Sequence, residues 1–294
     1  MKNSKALFQE ITAGIKLKES PDEIQSIVYL LVETILGIGK TDILAGKIIS
    51  VSGASIHALQ KAVDRINDHE PVQYVLGEAY FFGRKFQVNA SVLIPRPETE
   101  ELIRAVLDFK AQLHALNVSR PPLRILDIGT GSGCIPITLF QEVEAAEVFA
   151  TDVSNAALSV ARSNADFHQA KITFIEHNIF EEELPVKNLD VIVSNPPYVT
   201  LKEKSGMNPN VADYEPHLAL FVPDDDPLVF YNEILRKARG TLKASGFLAV
   251  EINEQFGHQV VQLFIQEGFK EVAVVNDIAG KQRIVRGLKG SLRL

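Results

Sequence analysis

Cysteine is nearly absent from this chain: Cys134 is the one cysteine among its 294 residues. A lone cysteine forms no internal disulfide, which agrees with a reducing compartment. It also cannot build a cysteine metal site, and the seven histidines are scattered without paired spacing. The sequence therefore predicts a protein without a bound metal ion.

Long hydrophobic runs and an excess of positive charge are missing too. No uninterrupted apolar stretch is long enough to span a bilayer, and the N-terminus lacks a signal-peptide apolar core, so we expect a cytoplasmic protein without a membrane partner. The formal net charge is −7, whereas proteins that bind phosphate backbones usually carry a basic footprint. This charge argues against direct nucleic-acid binding, although an acidic average does not exclude a local basic groove.

What is present indicates a globular protein with a sizeable core. Hydrophobic residues make up 46% of the chain and charged residues 23%, and the length allows one large domain or two ordinary ones. Residues 1–75 are predicted to be a helical domain, since apolar residues recur at helical spacing after the helix start Ser20-Pro21. Residues 76–94 are predicted to be a linker with a β-hairpin whose turn lies near Gly83-Arg84.

Residues 95–294 alternate between predicted strands and helices, which indicates an α/β fold with a mostly parallel sheet covered by helices on both faces. Ligands in such sheets bind at the carboxyl ends of the strands, where the strand order reverses. The predicted helices include Asn155–His168 and Leu228–Ala244. The predicted strands are Arg124–Ile128, Glu147–Asp152, Ile172–Glu176, Val191–Asn195, Phe247–Ile252, Val272–Val275 and Arg283–Arg286.

A glycine-rich turn follows the first of these strands, with the order Gly129-Thr130-Gly131-Ser132-Gly133. Glycines let backbone N–H groups approach a ligand closely, and the helix start beyond them offers unpaired donors. Asp152, at the end of the next strand, could accept hydrogen bonds from both hydroxyls of a ribose. Both a dinucleotide and S-adenosylmethionine fit this arrangement. A dinucleotide fingerprint would require glycine at Cys134.

The G-x-G-x-G spacing with Asp127 before it resembles the first motif of class I S-adenosylmethionine-dependent methyltransferases. The resemblance implies a Rossmann-like, seven-stranded sheet and a role for the acid in placing the amino-acid end of the cofactor. It also implies that Asn178 and Ile179, at the end of the third strand, contact the adenine.

The tetrapeptide Asn195-Pro196-Pro197-Tyr198 directly follows an apolar strand. The side-chain oxygen of Asn195 and the carbonyl of Pro196 could bind both hydrogens of a planar NH2 group, while Tyr198 packs on its face. This arrangement suits positioning catalysis in a dry site. By itself the motif serves several acceptors: adenine, cytosine, guanine and glutamine.

The whole chain resembles the peptide chain release factor glutamine N5-methyltransferases. Further matches are Pro71–Gly77, the stretch from Val92 to Glu100 with its Arg-Pro-Glu-Thr-Glu sequence, and Tyr214–Leu220. The resemblance implies methyl transfer from S-adenosylmethionine to the glutamine of the Gly-Gly-Gln motif of release factors. It implies that Asn195 to Tyr198 grip that amide, that Gly129–Gly133 and Asp152 hold the cofactor, and that the helical domain helps to hold the release factor.

Other functions stay open from the residues alone. An amino-methyltransferase acting on a nucleic-acid base shares the tetrapeptide, as does an enzyme acting on a ribosomal-protein glutamine. A dinucleotide oxidoreductase and a non-catalytic docking protein with a methyltransferase fold are further alternatives.

Overall fold

The computed structural model describes residues 1–115 and 122–290, which form two compact units. The helical unit comprises Met1–Glu78 together with Asn208–Tyr214, and the sheet unit comprises the rest of the described chain. None of the helices in the described ranges combines the length and apolar character that crossing a bilayer requires.

The helical unit buries one apolar cluster, in which Val28 and Leu31 are fully covered. Ser20 accepts a hydrogen bond from the Glu23 amide at 3.2 Å, which confirms the predicted helix start. Gly37 ends that helix in a left-handed conformation. The prediction of helix throughout was incomplete, because two short strands pair here: β1 (Lys2–Asn3) and β2 (Ile48–Ile49). The helices are α1 (Ser4–Gly14), α2 (Pro21–Leu36), α3 (Lys40–Leu44), α4 (Gly53–Asn67) and α5 (Val72–Leu76).

A β-hairpin follows, formed by β3 (Glu78–Phe81) and β4 (Arg84–Gln87). Its turn lies one residue earlier than predicted, at Phe82-Gly83, where both residues have positive φ (49° and 72°). Two positive φ angles suit the right-handed twist of a two-residue hairpin. The Phe82 amide donates to Oε1 of Glu100 at 2.9 Å, which fixes the turn against the next helix.

The sheet unit continues along the chain with alternating elements. Its strands are β5 (Arg124–Ile128), β6 (Glu147–Asp152), β7 (Ile172–Glu176), β8 (Leu189–Ser194), β9 (Val199–Thr200), β10 (Phe221–Val222), β11 (Leu242–Glu251), β12 (Phe269–Asn276) and β13 (Gln282–Lys289). The helices are α6 (Glu100–Ala115), α7 (Cys134–Glu142), α8 (Asn155–Phe167), α9 (Pro209–Ala212, in the helical unit), α10 (His217–Leu220), α11 (Val229–Thr241) and α12 (Gly257–Gln266).

Seven strands form the central sheet in the order β12-β13-β11-β8-β5-β6-β7. β13 runs antiparallel to both neighbours and the other pairs are parallel, which confirms the predicted mostly parallel sheet. The chain leaves β5 towards β6 and β7 on one side, and leaves β8 towards β11 on the other. β5 and β8 therefore lie on either side of the switch point at which such sheets bind ligands.

Side chains alternate between two apolar cores, one on each face of the sheet. Ile125, Val191 and Ala249 face the first core, with helices α6 and α7. Leu126 and Ile192 face the second core, with helices α11 and α12. Burial on both faces explains the continuous apolar runs of these strands.

The predicted bounds of three elements, β8, α11 and β11, differ from those in the structure. β8 ends at Ser194 rather than Asn195, since Pro196 cannot continue the ladder. Helix α11 ends at Thr241 rather than at residue 244, because Leu242 already pairs with Leu189 of β8. β11 accordingly begins at Leu242 and ends at Glu251.

Candidate active site

A cavity of about 280 Å³ opens at the carboxyl ends of β5 and β8. The strand register pairs Ile128 with Ser194, and the Ser194 hydroxyl donates to the Ile128 carbonyl at 2.7 Å. The glycine turn and the tetrapeptide begin at the next residue of each strand, so the register brings the two motifs to one edge of the sheet. Such clefts at the switch point are the usual ligand sites of open α/β sheets.

The glycine turn borders open space. Gly129 and Gly131 have φ angles of +76° and +55°, and a Cβ atom added at either residue would meet no protein atom within 4 Å. Gly133 differs, because an added Cβ would lie 3.1 Å from Ala161 and 3.2 Å from Ile137. Residues 129–132 line the cavity, whereas Gly133 allows α7 to pack closely on α8.

Asp152 lines the cavity at the end of β6. Its Oδ2 accepts from the Gly131 amide at 2.8 Å and its Oδ1 from the Ser154 amide at 2.9 Å. Burial raises the pKa of this carboxyl, and the hydrogen bonds from Ser154 and Gly131 oppose the rise. The carboxylate thus fixes the glycine turn, and each oxygen keeps a lone pair for a ligand.

Three residues of the tetrapeptide line the cavity, and the fourth packs against the core. Asn195, Pro196 and Pro197 line the cavity. The Tyr198 ring packs against the second core instead, and its hydroxyl donates to Oε1 of Glu251 at 2.9 Å. Of the predicted site residues, the structure places Asp127, Gly133 and Tyr198 outside the residues that line the cavity.

Four side chains form what we call the Glu251 network: Thr99, Asn195, Tyr198 and Glu251. The Thr99 hydroxyl donates to Oε2 of Glu251 at 2.6 Å, and Nδ2 of Asn195 donates to Oγ1 of Thr99 at 3.2 Å. The Glu251 side chain is fully buried. Burial raises the pKa of its carboxyl, which the hydrogen bonds from Thr99 and Tyr198 and the charge of Arg283 oppose.

Known proteins match both units of the chain. Residues 7–77 match the PrmC N-terminal domain family, and residues 104–212 match the methyltransferase small domain family. The chain is 39% identical over 286 residues to the release factor glutamine methyltransferase of Flavobacterium psychrophilum. The aligned residues cover 97% of this chain and 98% of that protein. The chain belongs to the family of release factor glutamine methyltransferases.

A second relative supports the same membership. The release factor glutamine methyltransferase of Bacteroides thetaiotaomicron is 41% identical over 266 residues, covering 90% of this chain and 92% of that protein. Among solved structures, the hMettl16 catalytic domain in complex with a MAT2A 3′UTR hairpin has a TM-score of 0.54 at 15% identity, covering 84% of this chain and 85% of that one. That likeness shows the methyltransferase fold alone. This family member is an S-adenosylmethionine-dependent methyltransferase, which sets aside the oxidoreductase and the non-catalytic docking protein.

Asn178 and Ile179, shortly after the end of β7, form one wall of the cavity. Oδ1 of Asn178 accepts from the Phe180 amide at 3.0 Å, so this side chain shapes the turn. Ile179 is buried in the second core as well as facing the cavity. The neighbouring Phe180 lines the cavity too and meets the Phe230 ring edge-on, with 4.8 Å between the ring centroids.

A buried lysine stabilises the backbone of this wall. Nζ of Lys237, on α11, donates to the carbonyl oxygens of Ile179 and Glu182. It also lies 3.7 Å from the carboxylate of Glu233, one helical turn before it. A buried ammonium requires such partners, so the wall and the lysine depend on each other.

Asp127, two residues before the glycine turn, is a buried carboxyl group in an unfavourable environment. It is completely buried, and neither carboxylate oxygen has a hydrogen-bond partner in the described part of the chain. Burial raises the pKa of Asp127 to about 7, the nearby Asp152 adds to the rise, and the Thr130 hydroxyl opposes it without reaching hydrogen-bond geometry. A buried polar group without a partner is costly, which is typical of a site completed by a ligand.

Sequence reasoning missed four residues that the geometry brings to the site: Thr99, Phe230, Lys237 and Glu251. Thr99 lies inside the Arg-Pro-Glu-Thr-Glu stretch, where Arg96 also pairs with the buried Glu215 carboxylate. Glu251 is the last residue of β11, the neighbour of β8. Its position as a carboxylate at a strand end was a usable signal, since ligands bind at that edge.

Proposed function

We propose that this enzyme transfers a methyl group to the side-chain amide nitrogen of the glutamine in the Gly-Gly-Gln motif of release factors. Two relatives named release factor glutamine methyltransferase match over 98% and 92% of their own lengths. Translation termination takes place in the cytoplasm, where we expect the enzyme to act. The product is N5-methylglutamine, formed with loss of one proton from the amide nitrogen.

One observation carries the proposal: Asn195 and Pro196, consecutive residues that offer a side-chain and a backbone acceptor, both line the cavity. Asn195 donates its Nδ2 hydrogens towards Thr99, which leaves Oδ1 available to accept. Pro196 has a carbonyl whose direction the following proline restricts. Two acceptors bind both hydrogens of a planar NH2 group and thereby orient its lone pair, which is the main requirement for a weak nucleophile.

The residues present also fit S-adenosylmethionine. When bound, this cofactor supplies a methyl group on a positively charged sulfur. The backbone of residues 129–132, Asp152, Asn178 and Ile179 would hold it. Asp127 would provide the negative charge for the cationic amino-acid end, since its carboxylate is otherwise unpartnered among the described residues.

The walls of the cavity around the tetrapeptide are apolar. Pro196, Pro197, Leu218 and Phe230 supply much of this surface. Such walls exclude water, which strengthens every hydrogen bond made to the acceptor amide. Tyr198 fixes the position of the tetrapeptide, because its hydroxyl donates a hydrogen bond to Glu251. Stacking of its ring on the glutamine amide remains a prediction.

The helical unit is proposed to recognise the release factor. Its residues 7–77 match the PrmC N-terminal domain family, which supports a role particular to this group of methyltransferases. A protein substrate also agrees with the net charge of −7, which argues against binding phosphate backbones.

The proposal is tested with Asn195→Ala, compared with Asn232→Ala at an exposed position of α11. Methyl transfer to a release factor should fall by about 100-fold or more in the first variant, because positioning is lost. Affinity for S-adenosylmethionine, measured by calorimetry, should stay unchanged in both. Loss of cofactor binding in a folded Asn195→Ala variant would assign this residue another role. Methylation of nucleic acid or of a ribosomal protein, but not of release factors, would replace the proposed substrate.

A further inference from the structure

The Glu251 network has a fixed direction of hydrogen-bond donation. Glu251 accepts two hydroxyl hydrogens, from Thr99 at 2.6 Å and from Tyr198 at 2.9 Å. A carboxylate is an acceptor only, so both hydroxyls must donate to it. A hydroxyl has a single hydrogen. The Thr99 oxygen can therefore only accept from any further partner.

That further partner is the side chain of Asn195, 3.2 Å from Oγ1 of Thr99. An amide has one donating and one accepting end. Facing an oxygen that can only accept, the amide must turn its nitrogen towards Thr99. Its Oδ1 is then the end left for the cavity, which Asn195 lines.

We propose that Glu251 and Thr99 are positioning residues that fix the amide of Asn195 with its oxygen towards the acceptor NH2 group. This inference rests on the proposed function, in which Oδ1 of Asn195 accepts a hydrogen bond from the substrate glutamine. Neither Glu251 nor Thr99 touches the reacting atoms. They act through Asn195, which meets the acceptor.

Protonation of Glu251 on Oε2, the oxygen that accepts from Thr99, reverses the direction of the network while Oε1 still accepts from Tyr198. A protonated carboxyl donates to Thr99, the Thr99 hydroxyl then donates to Oδ1 of Asn195, and the amide presents NH2 to an acceptor that is itself NH2. Two donors cannot pair, so this form is inactive. Activity therefore requires ionised Glu251 and falls as the pH decreases.

The groups around Glu251 set the pH at which its carboxyl gains a proton and activity falls. Burial raises its pKa, the Arg283 guanidinium opposes the rise, and Glu98 adds to it. Asp277 pairs with Arg283 at 3.1 Å and offsets part of that positive charge, while the Tyr231 hydroxyl donates to the backbone carbonyl of Glu251. We expect the acid limb of the rate profile above the ordinary range of a glutamate carboxyl.

The test compares four variants with the wild-type enzyme on a purified release factor. Thr99→Val keeps the shape but removes the hydroxyl, and Thr99→Ser restores the hydroxyl as the matched control. We expect Thr99→Val to lower kcat by about 10-fold to 100-fold, as small losses of positioning do. Thr99→Ser should return kcat to near the wild-type value. Affinity for S-adenosylmethionine should change little, whereas the thermal unfolding midpoint of Thr99→Val should fall, because the buried Glu251 carboxylate loses a hydrogen-bond donor.

Glu251→Gln gives a second, independent readout. The glutamine oxygen can accept from Tyr198, but its NH2 group faces Thr99 and holds the network in the reversed direction at every pH. We expect low kcat and no acid limb in the pH–rate profile. Tyr198→Phe removes one hydrogen bond to the carboxylate, so the acid limb should move to higher pH.

Wild-type kcat in Thr99→Val and Glu251→Gln would overturn the inference while the proposed function stands. A Thr99→Ser enzyme as slow as Thr99→Val would show that the side-chain shape matters rather than the hydroxyl, and would also overturn it. Absence of methylation of any release factor by the wild-type enzyme would instead refute the proposed function, and with it this inference.

Discussion

Asp127→Asn should make the ligand-free protein more stable at neutral pH while weakening cofactor binding. Burial holds the pKa of Asp127 at about 7, against 3.8 for an ordinary aspartate. At a pH between these two pKa values, the folded state therefore keeps a proton that the unfolded state has released. The stabilisation is fully present below the ordinary pKa and is lost as the pH rises through about 7.

The two pKa values fix the size of the effect. Each pH unit between them corresponds to about 1.4 kcal/mol, so the full loss approaches roughly 4 kcal/mol well above neutrality. Between about pH 5 and about pH 8 the same values give a loss of roughly 2.5 kcal/mol. The side-chain amide that Asp127→Asn introduces cannot titrate, so the variant escapes this loss.

Urea unfolding of both proteins at these two pH values measures the difference directly. The free energy of unfolding of Asp127→Asn, relative to wild type, should increase by roughly 2.5 kcal/mol from the lower to the higher pH. Asp166→Asn, the same exchange at an exposed position, is the control. A difference between Asp127→Asn and wild type that does not change with pH would refute the reasoning, because it would mean that Asp127 is ionised throughout.

Two further substitutions test the walls of the cavity. Gly131→Ala adds a methyl group at φ +55° into open space, so it should cost about 1 kcal/mol of stability through backbone strain and also weaken cofactor binding. Gly37→Ala, at φ +67° and equally uncrowded, is the matched control, with similar strain and unchanged calorimetric affinity. Lys237→Met removes the donor to the Ile179 and Glu182 carbonyls, so cofactor affinity should fall by about 10-fold or more with the acceptor KM unchanged. Unchanged cofactor affinity in Gly131→Ala or in Lys237→Met would contradict the role assigned to that residue in the cofactor site.

The sequence predicted the meeting of the two motifs because both follow apolar strands. Parallel strands present their carboxyl ends at one edge, so the glycine turn and Asn195 had to lie on the same side of the sheet. The predicted extents of β5, β6 and β7 also match the structure. Family membership and the fold class were likewise confirmed.

The Glu251 network could not be derived in the same way. Thr99 and Glu251 are separated by 152 positions, and their contact depends on how the segment before α6 packs against the end of β11 and on side-chain rotamers. The placement of Tyr198 in the core rather than at the cavity has the same origin. A residue pattern gives the strand and its end, but packing decides which side of the backbone each side chain takes.

Methylation of a release factor at one glutamine is the reaction proposed for this enzyme. The most direct measurement is mass spectrometry of a purified release factor after incubation with the enzyme and labelled S-adenosylmethionine. We expect the added mass of one methyl group on the Gly-Gly-Gln glutamine, formed at least about 100-fold more slowly when the Asn195→Ala variant replaces the wild-type enzyme. Label on another residue, or an unmodified release factor beside a methylated nucleic acid, would contradict it.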